Sequence, residues 1–185
     1  MPKVSEQHLE ARRAQILDGA RRAFARWGYE GATVSRLEEE IGLSRGAIFN
    51  YYPDKWSLFY ELASIDQHEL LTLLADEGLD ATIRHLTTES PEWLAVYMEV
   101  TRMLRTTPQL MEEFTRRGDP EVQERAKDRL RAAYAEGEFR QDVSLDYIVV
   151  FINLIANGVA LATSLGLPLN ADAILTLIHS GIDPQ

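Results

Sequence analysis

The sequence predicts an all-α protein built from an N-terminal three-helix helix-turn-helix unit and a larger helical C-terminal domain. Three observations support this fold class. Apolar residues recur at helical spacing, no segment alternates as a strand does, and glycine, serine and proline separate the apolar segments. We place the two domains at residues 1–53 and 54–185, with a long helix from residue 54 joining them.

The first predicted helix runs for roughly four to five turns before Gly28 and Gly31 interrupt it. Apolar residues three or four positions apart place its side chains on one face, which predicts a buried inner surface. The residues of this face are Ile16, Ala20, Ala23, Phe24 and Trp27.

Two short helices and a long one follow, each with recognisable ends. Thr33 is placed to cap the second helix and Gly42 to end it. Ser44 caps a third helix that Pro53 stops, and Asp54 caps the fourth. Two short helices joined by about three residues with a glycine are typical of a helix-turn-helix. The inner face of the second helix is Val34, Leu37 and Ile41; the third helix runs through Ile48, and the fourth carries Leu58, Phe59, Leu62 and Ile65.

The third helix also predicts how two adjacent tyrosines divide between core and surface. Counting from Ile48 at helical spacing, we expect Tyr52 to be buried and Tyr51 to be exposed.

The rest of the chain continues in helical segments. We expect a short helix near residues 81–87, one at 91–106, one or two within 108–136, and another near 171–178. Residues 147–166 carry no charge, which raises the question of a membrane span. This run contains four polar residues and lacks basic flanks, so burial between neighbouring helices explains it better. With the next helix, it predicts half of a four-helix dimer interface.

Charge is distributed unevenly between the two parts. The net charge is −10, yet residues 1–60 hold nine Lys and Arg against eight Asp and Glu, and residues 61–185 hold ten against twenty-one. The near-neutral first part can carry a basic face, while the acidic remainder is predicted to point away from a polyanion. With no cysteine and no secretory leader pattern, we expect a cytoplasmic protein without disulfides.

The sequence gives no support for an enzyme. No nucleophile and base occur in a recognisable context, and no metal-ligand spacing or phosphate-binding glycine loop occurs. The four histidines are scattered along the chain, at His8, His68, His85 and His179.

Two segments resemble the tetracycline-repressor (TetR) family of transcriptional regulators. GYEGATVSRLEEEIGLSRGAIFNYYPDKWSLF, residues 28–59, resembles the family's helix-turn-helix pattern over its whole length. GEFRQDVSLDYIVVFINLIANGVAL, residues 137–161, resembles its weaker C-terminal pattern before the dimerisation helix. The resemblance implies a homodimer that binds palindromic operator DNA, most commonly as a repressor. It also implies that a small-molecule effector releases the protein from this DNA.

Family roles carry over to seven residues of the helix-turn-helix. Arg45 can contact guanine bidentately and Asn50 can pair with adenine, so these two are expected to read bases. Tyr51 and Lys55 are expected to hold the phosphate backbone. The complete set of implied DNA contacts is Thr33, Ser44, Arg45, Ala47, Asn50, Tyr51 and Lys55.

One residue departs from the family pattern. Glu38 stands on the inner side of the second helix, where the family has a small residue. Because an unpaired carboxylate there is costly, we expect Glu38 to pair with Arg45 or Arg22 and to fix the recognition helix.

The resemblance also implies an effector pocket in the C-terminal domain, which the sequence locates poorly. Polar groups on apolar segments are the available guides. Asn153 and Asn157 are equally consistent with hydrogen bonds across a dimer seam, and Glu99 with an ion pair to Arg102 or Arg129. The candidate lining residues are Trp93, Tyr97, Glu99, Arg129, Asn153 and Asn157.

Within the family, RLEE at 36–39, SRGAIF at 44–49 and LRTTP at 104–108 resemble the aconitase-repressor branch. That resemblance implies a tricarboxylate effector with a divalent metal, held by Arg129 as a forked donor; no other cofactor is required. The alternative is an apolar or aromatic effector against Trp93, Tyr97, Met98, Met103 and Phe114. A helical ligand-binding or scaffold dimer without DNA binding also stays open, because the second helix is acidic.

Overall fold

The computed structural model describes residues 6–107, 112, 116 and 118–184, which contain nine α-helices and no strand. The all-α prediction is therefore confirmed. The helices are α1 (Glu6–Gly31), α2 (Val34–Ile41), α3 (Arg45–Phe49), α4 (Lys55–Asp76), α5 (Leu79–Thr88), α6 (Pro91–Thr106), α7 (Pro120–Ala135), α8 (Leu145–Ser164) and α9 (Ala171–Ile182).

Helix α1 is interrupted where the sequence predicted its end. Gly28 has φ 65° and ψ 175°, a conformation that is essentially restricted to glycine, and one further turn follows it. Earlier in α1, a Cβ on Gly19 would lie 2.6 Å from Ile41 Cα. The small residue therefore allows α2 to pack directly against α1.

The helix-turn-helix forms with the predicted caps. Thr33 Oγ1 accepts the Arg36 N–H, Gly42 ends α2 in the left-handed conformation, and Ser44 Oγ accepts the Ala47 N–H. Asp54 likewise caps α4 by accepting the Ser57 N–H at 2.7 Å. Each short helix is thereby fixed at its start by a side chain.

The core beneath the helix-turn-helix extends beyond residues 1–53. Ile16, Phe24, Leu37 and Ile48 pack with α4, and Val96 and Met103 of α6 belong to the same cluster. Tyr52 is buried as predicted, while Tyr51 is half-buried against this core instead of exposed. The proposed boundary at residue 53 stays a prediction.

Helices α5 to α9 form the rest of the molecule around two apolar clusters. One joins α5, α8 and α9 with Phe139, and the other joins α5, α6 and α8 with Trp93. The predicted helices near 81–87, 91–106 and 171–178 are present as α5, α6 and α9. The segment 108–136 is described only in part and contains α7, and Phe114 lies outside the described residues.

Helix α8 corresponds to the uncharged run and has a large exposed apolar face. An 18-residue window of it has a mean hydropathy of 1.9, so α8 has the length and composition of a membrane span. Only 22% of that window is buried within the protomer. The exposed apolar residues of α8 and α9 are Tyr147, Val150, Leu154, Leu161 and Leu177.

Candidate DNA-reading head and its contacts with the second domain

The recognition helix α3 presents its polar side to solvent. Ile48 is fully buried and fixes the inner face, whereas Ser44, Arg45 and Asn50 are exposed. The Arg45 guanidinium lies 5.9 Å from the centre of the Phe49 ring. An exposed arginine and asparagine at the two ends of one short helix can both meet base edges in a major groove.

The start of α2 lies beside this surface. Thr33 is exposed, and the exposed Arg36 donates from Nη1 to the Gly31 carbonyl at 2.7 Å. The Arg36 guanidinium also lies 5.1 Å from the centre of the Trp27 ring. Sequence reasoning did not select Arg36, although a cation one turn after a helix N-cap is a pattern suited to phosphate.

Glu38 binds a different part of its expected partner. Its carboxylate accepts the backbone N–H of Arg45 at 2.6 Å, so it caps the recognition helix together with Ser44. Arg22 instead bonds Asp18 and the carbonyl of Glu40. Arg45, one of the two expected partners, is therefore bound to Glu38 through its backbone N–H and not through its guanidinium, because the start of α3 has N–H groups without partners inside the helix.

Lys55 and Tyr29 connect the reading head to α6. Lys55 Nζ donates to the Tyr29 carbonyl at 2.8 Å and lies 4.3 Å from the centre of the Tyr29 ring. The Tyr29 N–H donates to Glu99 Oε1 at 2.8 Å. Because Gly28 breaks the helix, this N–H is directed out of α1 and towards the second domain. One tyrosine backbone thus links Glu99 with Lys55.

Glu99 is held as a carboxylate in this position. Partial burial opposes its ionisation, but hydrogen bonds from Arg102, at 2.7 and 2.9 Å, and from the Tyr29 N–H outweigh burial. The pKa of Glu99 is therefore lowered. The predicted pair with Arg102 is present, so one carboxylate serves both an ion pair and the contact between the domains.

A second contact between the domains is buried. Arg21 of α1 forms a bidentate pair with Asp66 of α4, at 2.6 and 2.8 Å, and Asp66 is 2% exposed. Burial raises the pKa of Asp66, and Arg21 opposes that shift. The sequence shows no spacing that links residues 45 positions apart. Its one indication is a carboxylate within the apolar series of α4.

The six candidate effector residues lie in different surroundings. Trp93 is buried and stacks on Tyr97 with ring centres 5.6 Å apart. Burial raises the pKa of Tyr97. Arg129 is exposed, and its Nη1 donates to the carbonyls of Ala75 and Asp76 at the end of α4. Glu99 faces Tyr29, so Glu99, Arg129 and the Trp93–Tyr97 stack lie in three different environments, and their role in an effector pocket stays a prediction.

The two asparagines lie beside the exposed apolar face of α8. Asn153 and Asn157 donate to carbonyls one turn earlier, those of Val149 and Asn153, at 2.8 Å each. Asn153 is exposed and Asn157 is half-buried. Their roles in a pocket or a dimer seam stay predictions.

A cavity of about 450 Å³ lies elsewhere, between α4 and the start of α7. Its lining mixes apolar with polar groups, including Ser64, Ile65, His68, Val122 and Gln123. None of the six candidate residues lines it. No periodicity in the sequence indicates this cavity, because its lining comes from two helices that are distant along the chain.

A capped, outward-facing recognition helix tied to a helical second domain defines a class of one-component DNA-binding regulators. The chain matches the bacterial regulatory proteins, tetR family, over residues 16–62. It is 40% identical over 185 residues, 98% of each chain, to the HTH-type transcriptional repressor Rv1474c of Mycobacterium tuberculosis (strain ATCC 25618 / H37Rv). The chain therefore belongs to the tetR family.

Other similarities agree in sequence and in fold. The HTH-type transcriptional repressor AcnR of Corynebacterium jeikeium (strain K411) is 41% identical over 161 residues, 86% of this chain and 85% of the relative. Salmonella enterica GusR has the same fold, with a TM-score of 0.75 and 20% identity over 97% of this chain and 96% of that one. The prediction that the protein is a TetR-type transcriptional repressor and not an enzyme is confirmed. The predicted resemblance to the AcnR branch is confirmed as well. Among the described residues, α8 alone is long and apolar enough to span a membrane, and in a member of this family such a helix does not indicate a membrane protein.

Proposed function

We propose that the protein represses transcription in the cytoplasm by binding a palindromic operator as a homodimer. The observation that carries this proposal is the exposure of Arg45 and Asn50 on a recognition helix whose start is fixed by Ser44 and Glu38. In a dimer, two such helices enter successive major grooves about 34–36 Å apart. Arg45 and Asn50 read bases, and Thr33, Tyr51 and Lys55 position the helix on phosphates. Ser44 and Ala47 lie on the turn and the outer face of the recognition helix.

The dimer forms through α8 and α9. Their exposed leucines, valine and tyrosine leave an apolar face that a second copy covers by two-fold symmetry. Asn153 is exposed beside this face and would hydrogen-bond across the seam. Asn157 is half-buried and its Oδ1 lies 3.5 Å from Thr101 Oγ1 of α6, so it faces the protomer interior. Exposure therefore supports a seam position for Asn153 only.

An effector releases the operator by binding the second domain. The 450 Å³ cavity between α4 and α7 has a volume suited to a small molecule. The finer proposal is a tricarboxylate that carries its own divalent metal. Arg129 does not line this cavity. It would bind the tricarboxylate at the end of α4 by exchanging the carbonyls of Ala75 and Asp76 for carboxylates, so the cavity and the Arg129 end of α4 are alternative effector sites.

Coupling between the sites passes through the backbone of Tyr29. A shift of α6 that withdraws Glu99 frees the Tyr29 N–H. The Tyr29 carbonyl, which holds the Lys55 ammonium, then moves, and so does Lys55, which contacts phosphate when DNA is bound. Arg21 and Asp66 keep α1 and α4 moving together. The effector therefore weakens DNA binding by its differential affinity for the two arrangements, and DNA weakens the effector by the same factor.

Selection of bound fragments from the source genome tests the operator proposal. The parent is expected to enrich a palindrome, and an Arg45→Ala/Asn50→Ala double variant is expected to lose it. Arg131→Ala, which removes an exposed arginine on α7, is the matched control and should enrich the same site. A folded parent dimer that enriches nothing would instead favour a ligand-binding or scaffold dimer.

A second arm tests the coupling. Glu99→Gln keeps the shape of the side chain but weakens its bonds to Tyr29 and Arg102. We expect operator affinity of this variant to respond less to magnesium citrate, the probe for a tricarboxylate with a divalent metal, than that of the parent. An unchanged response would remove Glu99 from the coupling path, and no response in the parent would remove the tricarboxylate.

A further inference from the structure

Three potential metal ligands meet between α4 and the end of α5. Glu69 of α4, His85 of α5 and Glu89, the residue after α5, each bring one ligand atom within 4.8 Å of the others. His85 Nε2 lies 3.3 Å from Glu89 Oε2 and 3.9 Å from Glu69 Oε1. We propose that Glu69, His85 and Glu89 bind one divalent transition-metal ion of the zinc class.

The spacing of these atoms suits one ion. Ligands about 2.1 Å from a tetrahedral metal are separated by about 3.4 Å, close to both measured distances. His85 Nε2 is buried, and no hydrogen bond of acceptable geometry reaches it from the described residues. His85 Nε2 lies within ion-pair distance of Glu89 Oε2, but the two groups are not aligned for a hydrogen bond. A buried ring nitrogen left in this way between two carboxylates has the arrangement of a ligand.

Neighbouring groups hold two of the ligands in place. Glu89 accepts the Ser90 N–H at 2.7 Å through Oε1, which leaves Oε2 directed at His85. The Trp93 ring meets the His85 ring edge-on, at 5.5 Å between centres and 89° between planes. Such outer contacts fix ligand orientation before the metal binds.

The site also has an entry path. A cavity of about 400 Å³ opens beside it and is lined by Glu69 and His85 themselves, together with His68, Thr72 and Asp76. Thr72 Oγ1 is buried there without a hydrogen bond among the described residues. Solvent in this cavity can supply the fourth ligand.

The ligand set selects the class of ion. One imidazole and two carboxylates suit zinc and the neighbouring ions cobalt, nickel and manganese, whereas calcium and magnesium take oxygen ligands in larger numbers. None of the three ligands is Arg129, so this site is separate from the tricarboxylate proposed above.

The position of the site gives the ion a regulatory effect, a consequence that rests on the proposed function. Glu69 and Glu89 both act electrostatically on the Arg21–Asp66 pair that joins α1 to α4. A divalent ion neutralises these carboxylates and fastens α4 to the start of α6, where Ser90 caps the helix. Metal binding therefore restrains the movement of α6 against the reading head.

Cobalt titration of the full-length, untagged dimer, followed by visible absorption and repeated calorimetrically with zinc, tests the site without DNA. The parent is expected to bind one ion per protomer. His85→Gln and Glu69→Gln should each weaken binding by at least roughly tenfold. Glu69 is exposed, so its substitution leaves the fold intact even if His85→Gln does not.

His179→Gln is the matched control. His179 also faces two carboxylates, but Asp80 lies at Nε2 and Asp183 at Nδ1, on opposite sides of the ring, so one ion cannot reach both through His179. This variant should bind cobalt as the parent does. If the parent shows no cobalt ligand-field bands, or if parent and Glu69→Gln bind cobalt equally, the three residues do not form a metal site. They would then form only an ion pair. Because no DNA is present, these outcomes are independent of the operator result.

Discussion

Single residues fix the contact between the two domains, and Gly28 is the clearest of them. Its conformation, with φ 65°, breaks α1 and directs the Tyr29 N–H towards Glu99, and a Cβ there would be in van der Waals contact with Glu99 Oε1 at 3.4 Å. The same residue therefore ends a helix and creates the donor that the second domain binds.

We expect Gly28→Ala to lower the free energy of unfolding by about 1–3 kcal/mol, because alanine does not tolerate this backbone conformation. Urea denaturation measures the change. Gly46→Ala is the control: it lies in α3 with open space around it, and alanine there should be neutral or stabilising by up to about 1 kcal/mol. Equal effects of the two substitutions would contradict the role assigned to Gly28.

His179 provides a pH-dependent contact between α9 and α5. A hydrogen bond to Asp183 raises its pKa, burial opposes this, and Asp80 adds to the rise. Because the folded-state pKa is above the unfolded value, the stabilisation is complete below about pH 6.5 and disappears as the pH rises through the raised pKa. We expect His179→Gln to destabilise the protein at pH 5.5 by no more than about 1 kcal/mol, and less at pH 9. Thermal unfolding of parent and variant at both pH values would test this. A larger loss of stability at pH 9 than at pH 5.5 would contradict the predicted pH dependence.

At the scale of elements, the recognition helix depends on groups outside itself. Helix α3 has only five residues and cannot be stable alone. Ser44 and Glu38 satisfy N–H groups at its start, and buried Ile48 attaches it to the core. The acidic run of α2 thus includes one carboxylate with a structural role.

We expect Glu38→Ala to reduce the free energy of unfolding by about 1 kcal/mol and to weaken operator binding, because the Arg45 N–H loses its acceptor. Glu39→Ala removes the neighbouring exposed carboxylate and should change stability by less than about 0.5 kcal/mol. Both effects can be measured by denaturation and by fluorescence anisotropy with operator DNA. Stronger operator binding by both variants would mean that Glu38 acts only as a repulsive charge.

At the scale of the whole molecule, we propose that the apolar face of α8 and α9 determines whether two reading heads act together. Leu154 is 66% exposed in the protomer and lies at the centre of this face. Joining two heads in one particle raises affinity for a two-half-site operator by roughly 100-fold or more over one head.

We expect Leu154→Glu to yield monomers, because two-fold symmetry would bury two carboxylates near each other. Operator affinity should then fall by roughly 100-fold. Sedimentation equilibrium and anisotropy measure the two effects. Leu9→Glu alters an exposed leucine on α1 and should leave the dimer intact; a dimeric Leu154→Glu variant would place the interface elsewhere.

The sequence by itself determined the elements and the reading surface. Helix caps and the spacing of apolar residues are local properties of the chain. The caps at Thr33, Ser44 and Asp54, together with this spacing, therefore predicted α1 to α4 and the exposure of Arg45 and Asn50. Family resemblance assigned their roles, because the helix-turn-helix pattern is continuous along the chain.

Only the tertiary structure decided which distant groups meet. Glu99 reaches Tyr29 across 70 residues, Arg21 reaches Asp66 across 45, and Glu69 approaches His85 from another helix. No periodicity records such pairs, because each depends on how whole helices pack against each other. The sequence could list Glu99 and Arg129 as polar groups on apolar helices, but their partners were set by the break at Gly28 and by the end of α4.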